Sequence, residues 1–297
     1  MNIPVAPSGR SGRLPSGLPS RVGVLGGGRM GAGIAHAFLI EGADVVVVER
    51  DEASAQAGRE RVASSAARSV ERDPHSGNLE EMLARLAVSV DYTDFGDREL
   101  VVEAVPEDWA LKVAALRRVE EQLSPGSVLA SNTSSLSVSG LAEELERPQD
   151  FLGLHFFNPV PASTLIEVVV GKQTRPDLVD RARDWVHGLG KAAVVVSDAP
   201  GFASSRLGVG IALEAMRMVE EGVASADDID NAMVLGYKHP TGPLRTTDIV
   251  GLDVRLGIAE YLHETLGERF APPQILRDKV ARGELGRKTG KGFFDWK

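Results

Sequence analysis

The chain of 297 residues contains no cysteine. Disulfides, thiolate metal sites and cysteine nucleophiles are excluded with it, and no metal site is expected. No apolar run approaches the roughly 18–20 residues of a membrane span, so no membrane partner is expected. Positive charge is in deficit: 33 Lys and Arg against 42 Asp and Glu leave a net charge of −9. A chain this acidic fits general nucleic-acid binding poorly. An anionic ligand would need local basic groups, because no long-range field draws it in. Residues 1–20 lack the apolar segment of a secretory signal. They carry Arg10 and Arg13 and no acid, a faint likeness to a transit segment that their Pro and Gly content argues against. They are expected to form a disordered tail, and a cytoplasmic location fits the absence of cysteine.

From Arg21 the texture changes. Val22–Leu25 reads as a short strand, glycines follow, and Ala32–Ile40 reads as a helix with small residues on one face. Val45–Val48 is a continuous β-branched run, as expected of a strand covered on both faces. This is one βαβ unit, and strands alternating with helices imply a parallel sheet. Further strands are expected at Leu100–Val105, Val128–Ala130, Phe151–Phe157, Thr164–Val170 and Ala193–Val196, with helices at Asp51–Arg72, Trp109–Leu123 and Arg175–Leu189. After Pro200-Gly201 the strand patterns stop and residues from about 202 to 282 are helical by periodicity. Ser225-Ala-Asp-Asp228 opens one of these helices in capping-box style. The chain therefore reads as an α/β domain over 21–199, with a mostly parallel sheet, followed by an all-helical domain over 200–297.

Gly26, Gly28 and Gly31 follow a strand and open a helix, the setting in which G-x-G-x-x-G binds a dinucleotide. The first glycine permits the tight turn, the second lets the backbone reach the pyrophosphate, and the third lets helix pack on strand. The helix N-terminus then faces the phosphates. Glu49 ends the second strand, 23 residues after Gly26. An acid there accepts hydrogen bonds from the adenosine ribose and favours NAD over NADP. Arg50 beside it is the one feature that points the other way.

His155 lies in the strand Gly-Leu-His-Phe-Phe just before Asn158-Pro159. Ligands gather at strand ends in such sheets, so His155 is the best-placed base, although a histidine among phenylalanines also fits a satisfied core residue. Glu167 interrupts the apolar run Leu165–Val170, and a carboxylate there is costly unless paired or exposed. The two segments can lie as neighbouring strands, where Glu167 would fix the tautomer of His155. An alternating strand with a wet polar face fits the same pattern. Ser131-Asn-Thr-Ser-Ser135 follows a strand end and can bond a substrate oxygen; plain turn chemistry is the simpler reading. Arg61, Ser65, Arg68 and Arg72 are spaced 4, 3 and 4, so they share one helix face. They form either a grip for an anionic nucleotide tail or a solvated face with local Glu pairs.

Taken together, the segments Gly26–Ala35, Val102–Ala104, Ser131–Leu136, His155–Pro161, Asp198–Phe202, Glu220–Gly222, Gly242-Pro243, Gly251–Asp253 and Gly286–Phe294 resemble the short-chain L-3-hydroxyacyl-CoA dehydrogenase family, within it the bacterial 3-hydroxybutyryl-CoA dehydrogenases. The resemblance spans residues 21–297. It implies a Rossmann-type NAD domain, a helical C-terminal domain that forms a homodimer and closes over the acyl chain, and a place in fatty acid metabolism. It implies that His155 takes the proton from the 3-hydroxyl while hydride passes from C3 to the nicotinamide, and that Glu167 orients and charge-balances His155. Ser134 would bond the reacting oxygen or the carboxamide. Arg29, Met30, Ala104, Glu107, Lys112, Asn132 and Lys288 would lie near the cofactor. Ser65 and Arg72, with Arg68 in the same stripe, would contact coenzyme A.

The chain departs from the family at one motif. Pro-Gly-Phe-x-x-Asn-Arg is here Pro200–Arg206 with Ser205 in place of the asparagine. Serine is shorter, and reaches substrate directly or through a water. That leaves the acyl group open: a 3-hydroxyadipyl-CoA, a carrier-protein thioester, a free hydroxy acid or a catalytically silent NAD-binding relative are the alternatives to 3-hydroxybutyryl-CoA.

Overall fold

The computed structural model describes residues 14–73 and 77–296. Two compact units divide between Asp198 and Ala199. In the first, the chain runs β1 (Arg21–Leu25), α1 (Arg29–Ile40), β2 (Asp44–Val48), α2 (Glu52–Arg72), α3 (Leu79–Ala84), β3 (Leu86–Ser89), β4 (Leu100–Glu103), α4 (Trp109–Glu120), β5 (Val128–Ser131), α5 (Val138–Glu143), β6 (Phe151–Phe156), β7 (Leu165–Val170), α6 (Pro176–Gly188) and β8 (Ala192–Ser197). The strands form one sheet in the order β3-β2-β1-β4-β5-β6-β7-β8. Neighbours are parallel except β6 and β7, which are antiparallel. From β1 the chain winds outward through β2 to β3 and returns to β4 on the other side of β1. Ligands settle at such a reversal, outside the carboxyl ends of the strands.

The burial explains the sequence pattern. Val45 to Val48 are all buried, as are β4, β5 and β6 throughout, because helices cover both faces of a parallel sheet. Helices α2, α4 and α5 start on Asp51, Asp108 and Ser137, whose side chains each accept from a backbone N–H in the first turn. Helix α1 starts at Gly28 with no such cap.

Three elements were not expected: β3, α3 and α5. β3 is an edge strand of four residues with only Leu86 buried, so it carries no alternation to read. At the N-terminus, residues 1–13 of the expected tail lie outside the described residues. Residues 14–20 differ from that expectation: Leu18 is 5% exposed and packs into the sheet's core, so apolar burial fixes the chain before Arg21.

The second unit holds α7 (Ser204–Glu220), α8 (Ala226–Asn231), α9 (Pro243–Val250), α10 (Leu252–Leu266) and α11 (Gln274–Ala281) around a core that includes Leu213, Met216, Leu244 and Leu252. Ser225 caps α8 through Asp228 N. Asp248, fully buried, accepts from Phe293 N, Phe294 N and Trp296 Nε1 at 2.8–2.9 Å and ties down the end of the chain. Among the described residues no helix is long and apolar enough to cross a membrane, and no His, Asp and Glu cluster is arranged to hold a metal ion.

Candidate active site

The turn after β1 has the shape a pyrophosphate needs. Gly26 takes φ +93° and its N–H donates to Val48 O. A Cβ on Gly31 would lie 1.7 Å from Gly26 O, so helix and turn touch backbone to backbone. A Cβ on Gly28 would meet nothing within 4 Å. The space over Gly28 is open, and the uncapped N–H groups of Arg29, Met30 and Gly31 begin the helix there. Ala104 backs the turn, its carbonyl 3.1 Å from where a Gly26 Cβ would sit.

Glu49 Oε1 accepts from Gly27 N at 2.6 Å, which holds the acid at the rim of the turn. The neighbouring guanidinium is committed elsewhere: Arg50 Nε lies 3.0 Å from Asp51 Oδ2, with its side chain 84% exposed. Glu49 itself forms no ion pair among the described residues, and the rim fits NAD.

Beside the turn lies a buried ionic network that the sequence only half disclosed. Glu103, the last residue of β4, is fully buried. Its Oε1 accepts from Lys112 Nζ and Val105 N, each at 2.7 Å, and its Oε2 from Ser131 Oγ at 2.6 Å. Lys112, itself 1% exposed, also lies 3.3 Å from Glu107 Oε2. Glu107 Oε1 accepts from Thr133 Oγ1, Ser134 N and Ser135 N at 2.7–3.1 Å, and from the Ser134 and Ser135 hydroxyls at 3.3 and 3.0 Å. Burial pushes the Glu107 carboxyl up, but the Lys112 ammonium and these donors outweigh it and hold it below the usual carboxylate range. Buried charges are tolerable only when so fully bonded. Lys112 therefore does not face solvent; it braces the loop that carries Ser134. Glu103 was missed, although it bears the same mark that singled out Glu167, a carboxylate inside an apolar strand.

Asn132 Oδ1 accepts from Phe156 N at 2.9 Å and ties the end of β5 to β6. One residue earlier on β6 stands His155, directly opposite Glu167 in the antiparallel register. Their side chains project from the same face, and Nδ1 lies 2.8 Å from Glu167 Oε2 with both residues buried. An ionised carboxylate accepts only, so Nδ1 carries the hydrogen and Nε2 is left as the basic nitrogen. Phe157 stacks at a tilt, ring centroids 4.4 Å apart.

The arginine stripe of α2 lines a cavity of about 720 Å³ with Arg29 and the Asn158–Ala162 segment. Arg61 Nη1 donates to Gly27 O at 3.1 Å, Arg68 Nη1 to Ser64 Oγ at 2.6 Å and Arg72 Nε to Arg68 O at 3.1 Å. None of the three forms an ion pair among the described residues, so the local Glu pairs of a merely solvated face are not made. Ser65 Oγ is 3.0 Å from His36 Nδ1. Burial pushes His36 down to about 4, helped by Lys191, Arg68 and Arg72, so it stays neutral. Lys288 and Ser205 belong to the second unit. Lys288 Nζ is paired with Asp253 at 2.6–2.7 Å, and Ser205 sits half-buried in the first turn of α7.

The open glycine turn, the acid at its rim and the sheet reversal define an NAD-dependent dehydrogenase. Residues 21–199 match the 3-hydroxyacyl-CoA dehydrogenase NAD binding domain, and residues 201–296 match the C-terminal domain of the same enzymes. The 3-hydroxybutyryl-CoA dehydrogenase of Mycobacterium tuberculosis is 41% identical over 284 residues, covering 93% of this chain and 98% of that one. A probable 3-hydroxybutyryl-CoA dehydrogenase of Deinococcus radiodurans is 38% identical over 277 residues, covering 93% of this chain and all of its own. The crystal structure of (S)-3-hydroxybutyryl-CoA dehydrogenase from Ralstonia eutropha superposes with a TM-score of 0.89 at 36% identity, over 94% of this chain and 99% of that one. The chain belongs to the 3-hydroxyacyl-CoA dehydrogenase family.

Proposed function

We propose that the enzyme oxidises short-chain (S)-3-hydroxyacyl-CoA to 3-ketoacyl-CoA, reversibly, as its relatives' names describe for 3-hydroxybutyryl-CoA. The observation that carries this reading is the buried His155–Glu167 pair at 2.8 Å. NAD supplies the hydride acceptor. His155 Nε2 takes the proton of the 3-hydroxyl in oxidation and returns it in reduction. Glu167 holds the Nδ1–H tautomer and balances the charge that the ring gains. Ser134 bonds the reacting oxygen or the carboxamide, from a loop that Glu107, Lys112 and Glu103 keep in place. Gly26, Gly28, Arg29, Met30, Gly31, Glu49, Ala104 and Asn132 shape the NAD site, and Lys288 contributes from the helical domain. Ser205 positions substrate where relatives use asparagine. Ser65, Arg68 and Arg72 hold coenzyme A: a cationic cavity in a chain of charge −9 is the local basic group that an anionic ligand requires.

The enzyme acts as a homodimer through its helical domain. Leu207 and Ile211 on α7, Val254 on α10, and Leu235 and Tyr237 are 39–76% exposed, large apolar side chains of the kind that a partner subunit covers. A cytoplasmic location is proposed with it, in keeping with a chain that holds no cysteine.

The test is NADH absorbance with acetoacetyl-CoA: steady oxidation is expected, and none from protein that binds NADH would leave an NAD-binding relative without turnover. Replacing Arg68 and Arg72 with Ala should raise KM for the thioester about tenfold or more; an unchanged KM would remove the coenzyme A grip from the proposal.

A further inference from the structure

Arg255 is a buried cation for which the proposed reaction has no use. It lies on α10 in line with Leu252, Ala259 and Leu262, all 0% exposed, and is itself 8% exposed. That face looks inward, against α7 within the same unit. Its Nε has no hydrogen-bond partner, and no carboxylate among the described residues pairs with it. The acids nearest on its own helix are taken: Asp253 by Lys288 and Glu260 by Arg277. Burial alone acts on the guanidinium and pushes it down, with no anion to hold it up. A guanidinium removed from water without an anion is destabilising by several kcal/mol, so its retention calls for a counter-charge.

The space for that counter-charge is also present. Opposite Arg255 on α7 stands Gly208. A Cβ there would find Nη1 at 3.5 Å and Nη2 at 3.9 Å, and no other atom within 4 Å outside its own helix. The missing Cβ of Gly208 thus leaves this side of the two Nη atoms uncovered, and any larger residue at 208 would cover it. Ser205 precedes Gly208 by three residues and shares its helix face, adding a hydroxyl to the same stretch. A planar fork of N–H donors left uncovered on one side is matched by a carboxylate, which takes both donors at once.

We propose that Arg255, Gly208 and Ser205 form an anion site that takes a ligand carboxylate. Two sources supply that chemistry: the far end of a dicarboxylic acyl chain on the thioester substrate, which rests on the function proposed above, or a free dicarboxylate acting as an effector. The first would make this a dehydrogenase that selects carboxyl-ended over methyl-ended substrates.

Steady-state kinetics of the full-length enzyme with 3-hydroxyadipyl-CoA and 3-hydroxyhexanoyl-CoA, matched in chain length, provide the first arm. The wild type should favour the carboxyl-ended substrate by about tenfold to hundredfold in kcat/KM, and Arg255→Met should bring that ratio close to one. Gly208→Leu, which keeps the cation and covers that side of it while favouring the helix, should do the same. Thermal shift with free adipate provides the second arm and needs no turnover. A rise in Tm for wild type that is absent in Arg255→Met, without a kinetic preference, assigns the site to a free effector. No preference and no adipate-dependent shift in wild type overturns the site, whichever way the dehydrogenase assay falls. If neither thioester is turned over, the proposed function fails while the adipate arm still decides on Arg255.

Discussion

Replacing Glu167 with Gln tests the acid–base pair without disturbing its geometry. The amide oxygen still accepts from His155 Nδ1, so the ring keeps its tautomer, and only the charge is lost. That charge sits 2.8 Å from Nδ1 in a pair that solvent barely reaches. At an effective dielectric near 20 and a charge separation of about 4 Å, its attraction for an imidazolium is worth about 4 kcal/mol. Oxidation of the 3-hydroxyl creates that imidazolium, so in that direction the loss falls on the transition state and lowers kcat about a thousandfold. NADH formation from (S)-3-hydroxybutyryl-CoA measures kcat, and NADH fluorescence measures binding in the same preparation. Binding should stay within about threefold, because Glu167 is no part of the dinucleotide turn. A kcat within tenfold of the wild type would refute the assignment of Glu167 as the charge partner and reduce the pair to a packing contact.

Three further outcomes are expected. Gly31→Ala sets a methyl 1.7 Å from Gly26 O and forces the turn apart, so NADH affinity by fluorescence titration should drop more than about tenfold; an unaltered Kd would show that the turn yields without harm. Lys112→Met strands Glu103 in the core at a cost of about 3–5 kcal/mol, read as a lower urea midpoint, and Glu103→Gln added to it should recover most of the loss; an unaffected midpoint in the single variant would show that the ion pair contributes nothing. His36 stays neutral down to about 4 when folded, against 6.5 for a free side chain. As pH falls below 6.5 the unfolded chain takes up a proton that the folded one refuses. Stability present above that pH is therefore lost on the way down to about 4, by about 2 kcal/mol between roughly pH 8 and pH 5. His36→Leu should remove that part of the slope in urea unfolding, and a variant as acid-sensitive as the wild type would contradict it.

The sequence was most legible where a side chain disagreed with its surroundings. Glu167 in an apolar strand and His155 at a strand end drew notice because their neighbours were apolar, and β1, β2 and β4 to β8 were readable from continuous runs of Val, Leu and Phe. β3 was not, because an edge strand with one buried residue has no pattern. Pairings across long separations were equally invisible: Glu103 with Lys112 across nine residues, His36 with Ser65 across twenty-nine. Arg255 looked like any charged residue on a helix; only its burial against Gly208 makes it unusual.

The reversal of direction at β6–β7 has a consequence for how such an enzyme can change over evolutionary time. His155 and Glu167 are 12 residues apart along the chain but occupy one rung of the ladder, so their spacing is set by backbone pairing and not by the segment that joins them. That segment contains Asn158–Ala162, which lines the arginine cavity. Its length and shape can drift, and with them the shape of the cavity, while the two opposed side chains stay in register. The arrangement separates what is free to vary from what must stay fixed within a single hairpin.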